Sequence, residues 1–191
     1  MLTNFDIERI CKKLDLPIVG VYSKNELYNI PRRVGSYYIN LMDDDKVDGE
    51  GNNGSHWVFA KIYCDEDRED NSDEEEGHKL CNALYFDSFG FGMPKAVSDF
   101  LKPFKPVYCN NREIQNINSS ECGWYCIVCD WVLETKQSSK TYLEDYEKFL
   151  NMWNDDVKKN LKILKGLLRK MWIENDWLHN EKNFSYLIRK N

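Results

Sequence analysis

Histidine is scarce in this chain, with three among 191 residues: His56, His78 and His179. Imidazole chemistry therefore has only three possible addresses. No apolar run approaches the roughly 18 residues that a membrane span requires, which predicts no membrane partner. Spacings that mark structural zinc are absent, so no metal and no other cofactor is expected. There is no internal repeat, and the start, Met1-Leu2-Thr3-Asn4-Phe5-Asp6, lacks the basic residues and apolar stretch of a secretory signal. The seven cysteines are an odd count without the spacing of a small disulfide framework, which predicts free thiols in a reducing, cytoplasmic-type compartment.

What is present suits one globular domain over residues 1–191: 42% apolar and 14% aromatic residues, with enough length for a full-sized core. The net charge of −6 is unevenly spread. Between Asp65 and Glu76 nine acids face one base, Arg68, so those twelve positions carry −8 and the rest of the chain +2. From Val157 to Asn191 nine Lys/Arg stand against three acids, or +6. An acidic insertion at 65–79 and a basic, helical C-terminal part at 140–191 follow from this pattern.

In order along the chain, Thr3 caps a first helix with Asp6 three residues on and Ile7, Ile10, Cys11 and Leu14 on one face. Extended segments are predicted at 16–22, 37–41, 56–63, 80–87 and 107–109, with the acidic tract as a solvated hairpin insertion between the third and fourth. Pro94 opens a helix that runs to Leu101. A buried helix follows Cys122. In the basic segment Lys158, Lys162, Lys165 and Arg169 share one helical face, opposite Leu161, Leu164, Leu168 and Trp172. The sum is an α+β domain with a central sheet of four or five strands flanked by helices.

Chemistry gathers at Gln115-Asn116-Ile117-Asn118-Ser119-Ser120-Glu121-Cys122-Gly123. Cys122 sits where this polar loop becomes a helix, and unpaired N–H groups with the positive end of the helix dipole favour a thiolate there. Gly123 allows close approach of another backbone. His56, in Gly54-Ser55-His56-Trp57, is placed as the base, since imidazole titrates near working pH. Asp87, closing Leu84-Tyr85-Phe86-Asp87, is one strand over and can fix the imidazole's tautomer. Gln115 offers a neutral N–H donor of the kind an oxyanion hole needs.

These pieces, in this order, resemble the adenovirus-type maturation proteases and, more distantly, the ubiquitin-like-protein proteases that share their papain-like fold. The matching stretches are Gly54-Ser55-His56-Trp57, Tyr85-Phe86-Asp87-Ser88-Phe89-Gly90-Phe91, and Gln115 six residues before Glu121-Cys122-Gly123, with a weaker match at Ile18 to Lys24. The resemblance implies a cysteine protease: His56 as base, Asp87 as its orienter, Cys122 as nucleophile, and Gln115 with the Cys122 N–H as oxyanion hole. Trp57 is expected in the core or on the wall of the substrate cleft, and Gly123 along that cleft. It further implies capsid and core precursors as substrates, cut after glycine-containing sequences, in a virion or infected cell of a DNA virus or virophage. An activating peptide is left open as a partner, and a monomer is expected. Asp87 departs from the Glu of the adenoviral enzymes and agrees with the ubiquitin-like proteases. The acidic insertion departs from their basic character and predicts weak or no nucleic-acid binding.

Other readings of the same residues stay open. Cys122, Cys126 and Cys129 share a helix face and suit core thiols. Their Cys-x3-Cys-x2-Cys spacing is also that of iron–sulfur radical enzymes, although Trp124, Tyr125, Ile127 and Val128 look like core. If Asp87 is only a turn residue, Glu113 or Glu121 would replace it. Two other functions compete: removal of ubiquitin-like modifiers, and an idle binding module that kept the fold.

Overall fold

The structure is a computed structural model that describes residues 1–42, 56–64, 81–136 and 139–174. The acidic tract, His78, His179 and the chain beyond 174 lie outside the described residues. Helix α1 (Asn4–Lys13) begins as the sequence predicts: the Thr3 hydroxyl accepts the Asp6 N–H while the Asp6 carboxylate accepts the Thr3 N–H, a reciprocal capping box. Its apolar stripe of Ile7, Ile10 and Cys11 is buried.

The strands are β1 (Ile18–Ser23), β2 (Gly35–Asn40), β3 (Trp57–Cys64), β4 (Cys81–Phe86) and, after α2 (Lys95–Leu101), β5 (Val107–Cys109). They form one mixed sheet in sequential order. The outer pairs, β1·β2 and β4·β5, are parallel, and the inner pairs β2·β3 and β3·β4 are antiparallel. The two-residue period of a strand sends alternate side chains to opposite faces, and here both faces are covered. Tyr38, Trp57, Phe59, Tyr63, Leu84 and Phe86 join the helices α1, α3 (Cys122–Thr135), α4 (Tyr142–Asn151) and α5 (Val157–Glu174). Tyr37, Ile39, Val58, Ala60, Ile62 and Tyr85 pack with α2 and Leu27 on the other side.

Helix α3 is apolar around most of its circumference, and every residue from Cys122 to Leu133 is buried. Such a helix has to lie in the core. One polar side chain among them, Asp130, is fully buried and accepts hydrogen bonds from Ser36 Oγ (2.7 Å) and Tyr38 Oη (2.9 Å) of β2. Beside it the buried Lys61 ammonium reaches Ser36 Oγ (3.1 Å) and pairs with Glu134, with its Nζ 5.0 Å from the Tyr142 ring centre. Buried polar groups need such partners, and this set fixes the rotation of α3 against the sheet.

The structure corrects two expectations. Composition predicted seven free thiols, but Cys64 and Cys81 form a disulfide. Seventeen positions separate them in sequence, yet the antiparallel register sets them directly opposite, with Cα atoms 4.0 Å apart. The bond closes the base of the hairpin whose connection carries the acidic residues. In α5 the buried face is Asn160, Leu164, Leu168 and Met171, whereas Leu161 is exposed; Trp172 is not among the side chains described.

Candidate active site

His56 lies one residue ahead of β3 and Asp87 one residue past β4. The antiparallel register that pairs Phe59 with Phe86 sets both at the same end of the sheet. The first turn of α3 packs over the start of β3, with the Cys126 thiol donating to the Trp57 carbonyl at 3.4 Å. Cys122, the first residue of α3, is thereby brought beside His56. Sheet and helix together assemble residues 31 and 35 positions apart in sequence.

His56 Nε2 lies 2.5 Å from Asp87 Oδ1. The Asp87 side chain is almost wholly buried, and that of His56 is 13% exposed. The Phe89 ring stacks on the imidazole with centroids 4.1 Å apart and planes inclined by 21°. Burial by itself would push the imidazolium pKa down, but the hydrogen bond to Asp87 and the neighbouring Cys122 outweigh it and lift the pKa to about 9. With Nε2 committed to the carboxylate, Nδ1 has no hydrogen-bond partner among the described residues. It is the nitrogen left to exchange a proton with the Cys122 thiol.

Cys122 is 3% exposed, and its N–H precedes the helix's own ladder, which opens with the Trp124 and Tyr125 N–H groups on the Glu121 carbonyl. Cys126 and Cys129 differ from it in kind. Burial pushes both thiols well above the ordinary range, and neither meets a histidine among the described residues. They are core thiols, buried within one helix. Among the described residues no group of three His, Cys, Asp or Glu side chains is arranged to hold a metal ion.

Gln115 is completely buried and anchored on Ser88: the Ser88 carbonyl accepts the Gln115 N–H at 2.8 Å, and the Ser88 hydroxyl donates to Gln115 Oε1 at 2.6 Å. Its Nε2 donates to the Ser119 carbonyl (3.1 Å) and hydroxyl (2.9 Å). The amide donor expected for an oxyanion is therefore engaged by Ser119. Neither Ser88, quoted only within the Tyr85 to Phe91 stretch, nor Ser119, in the polar loop, carried a sequence signal of this anchoring role.

Trp57 lies in the core, and Gly123 packs against it. Trp57 is 1% exposed, part of the core, and donates its indole N–H to the Leu2 carbonyl at 3.0 Å. A Cβ on Gly123 would stand 3.2 Å from Leu2 Cδ1 and 3.4 Å from Trp57 Cδ1. Glycine at 123 thus leaves room for Leu2. Of the substitutes for Asp87, Glu113 is exposed, and the carboxylate on His56 is that of Asp87.

The sheet that carries His56 and Asp87, facing a helix that begins with the cysteine, is the papain-like form of an α+β fold. No protein-family model and no curated protein matches the chain. Among solved structures the chain is similar to the crystal structure of the ASFV pS273R protease, at 17% identity and a TM-score of 0.43, over 78% of this chain. The chain spans 65% of that protease's length. The chemistry open to the site is set by the geometry of His56, Asp87 and Cys122 themselves.

Proposed function

We propose that the chain is a cysteine endopeptidase that works through Cys122, His56 and Asp87. The observation that supports it is the divided imidazole: Nε2 held by a buried carboxylate, and Nδ1 left open beside a cysteine at a helix start. The His56 imidazolium pairs with the Cys122 thiolate. The sulfur attacks the scissile carbonyl carbon, a C–S bond forms, and the carbonyl electrons move onto oxygen. That oxyanion is held by the Cys122 N–H and by Gln115 Nε2 once Ser119 yields. As the intermediate collapses the C–N bond breaks, and His56 gives its proton to the leaving amine. Neutral His56 then draws a proton from water, which attacks the thioester and returns the thiol.

The substrates proposed are viral capsid and core precursor polypeptides, cut after glycine-containing sites, in a virion or infected cell. This rests on the resemblance of the His56, Asp87, Gln115 and Cys122 motifs, because Gly123 packs on Leu2 and defines no cleft. Asp87 in place of a glutamate favours a second reading, release of ubiquitin-like modifiers. An idle binding module is disfavoured because every catalytic role is filled. We further propose a monomer, open to an activating peptide, that binds nucleic acid weakly or not at all. Lys158, Lys162 and Arg169 are exposed, and α5 docks through its opposite face. Incubating the purified chain and Cys122→Ala with capsid precursors and with modifier conjugates decides between these. Cleavage of precursors by the wild type alone supports the first reading; cleavage of conjugates alone supports the second; inactivity on both supports the module.

A further inference from the structure

Strands β4 and β5 run parallel and stop together, with Tyr85 paired to Cys109 as the last step of their ladder. One step further, at Asp87, a side chain replaces the missing backbone partner. Asn110 Oδ1 accepts the Asp87 N–H at 2.8 Å, and Asn110 Nδ2 donates to the Asp87 carbonyl at 2.6 Å. The carboxamide thus acts as a surrogate peptide group, prolonging the ladder past the ends of both strands. Asn110 is 4% exposed, its Nδ2 also donates to the Arg112 carbonyl (3.2 Å), and its own N–H reaches the Tyr85 carbonyl at 3.4 Å. Below this clasp the chain turns at once: the Gly90 N–H bonds the Asp87 carbonyl at 2.9 Å, and Gly90 has φ +70°. A Cβ there would lie 2.4 Å from the Arg112 carbonyl carbon. A residue entering so tight a turn would otherwise have few fixed contacts.

We propose that Asn110 is a positioning residue of the catalytic pair, holding the Asp87 main chain so that its carboxylate is aimed at His56 Nε2. The inference rests on the Cys–His–Asp reading of the active site. Alternatives at position 110 fail for stated reasons: aspartate lacks the donor, leucine lacks both groups, and glutamine is one methylene too long for both bonds at once. Besides the imidazole, Asp87 Oδ1 accepts the Phe89 N–H (2.8 Å), a contact within the same turn, so a small swing of the main chain misdirects it. The titratable groups that face His56 among the described residues are Asp87, beyond β4, and Cys122, on α3.

The test is a proton NMR titration of His56 in the full chain, assigned by the signal that His56→Gln removes. Wild-type His56 is expected to titrate at about 9. In Asn110→Ala the midpoint should fall by at least about one unit, because burial remains while the carboxylate is misaimed. In parallel kcat should drop with KM little changed, which a merely structural loss of folded protein would not produce together with a moved midpoint. Should Asn110→Ala not fold, Asn110→Ser keeps a hydroxyl and room for a water and should show a smaller shift in the same direction. A folded variant whose His56 still titrates at about 9 overturns the inference alone. A wild-type His56 at the ordinary value overturns the Cys–His–Asp reading and this inference with it.

Discussion

Replacing Gln115 isolates the step in which negative charge develops. Truncation to alanine is a poor probe, because it also strands the buried Ser88 hydroxyl, now 2.6 Å from Gln115 Oε1. Each buried group left without a partner costs about 1–3 kcal/mol of stability. Gln115→Glu has nearly the same shape and keeps an acceptor for Ser88; it exchanges the N–H donor for a carboxylate oxygen that also faces the Ser119 carbonyl, a cost to stability that the thermal melt reads separately from kcat. The loss of one oxyanion donor corresponds to about 2.7–4 kcal/mol in the transition state, so kcat should fall roughly 10²- to 10³-fold. KM should stay close to the wild-type value, since the ground-state carbonyl gains little from this donor. The assay is steady-state cleavage of a fluorogenic peptide, with thermal melts on the same samples. A preserved kcat with a raised KM would refute the reasoning and make Gln115 a substrate clamp.

The remaining expectations follow from neighbouring contacts. Ser119→Ala removes a hydroxyl that competes for Gln115 Nε2 and should raise kcat roughly 2- to 10-fold, the equivalent of one neutral hydrogen bond; a fall in kcat would show that the hydroxyl positions the amide instead. Burial, against the opposing pull of Lys61, Ser36 and Tyr38, raises the Asp130 carboxyl to about 6. A pKa raised on folding makes the protonated form the stabilising one. Asp130 therefore contributes most at low pH and loses its contribution, about 3 kcal/mol, as pH rises from 3.8 through about 6. His56, also raised, loses its own contribution as pH climbs from 6.5 through about 9. Denaturant titrations across pH should show both steps, and Asp130→Asn should flatten the lower one. Reducing the Cys64–Cys81 bond should cost about 3 kcal/mol on the chain-entropy account of its loop, read as a lower Tm without any change in Cys122 reactivity. An unaltered Tm would contradict the pairing.

Local rules made much of this fold legible. The Thr3–Asp6 box, the Ile7/Ile10/Cys11 stripe and the short apolar run Tyr37-Tyr38-Ile39 are short-range signals that tertiary structure had no reason to override. His56, Asp87, Gln115 and Cys122 were singled out by residue type and order, and the fold brings His56, Asp87 and Cys122 together. What the sequence hid was long-range. Cys64 meets Cys81 only through strand register, and Asn110 finds Asp87 across 23 positions by imitating a peptide group. The surroundings of Trp57 and Gly123 were hidden for a related reason. Nothing local announces that Leu2 will return to cover them. On α5 a stripe drawn from Leu161, Leu164, Leu168 and Trp172 took in Leu161, while the helix turns Asn160 inward to donate to the Ile114 carbonyl at 2.9 Å.

Iodoacetamide labelling at neutral pH, mapped by mass spectrometry, tests most directly whether Cys122 is an activated nucleophile. Cys109 is the stringent competitor, being exposed, whereas Cys122 is 3% exposed. On accessibility alone Cys109 should react first. A thiolate paired with the His56 imidazolium reverses that order: Cys122 should label fastest, and His56→Ala should slow it specifically. Fastest labelling at Cys109, with Cys122 inert and indifferent to His56→Ala, would contradict the account.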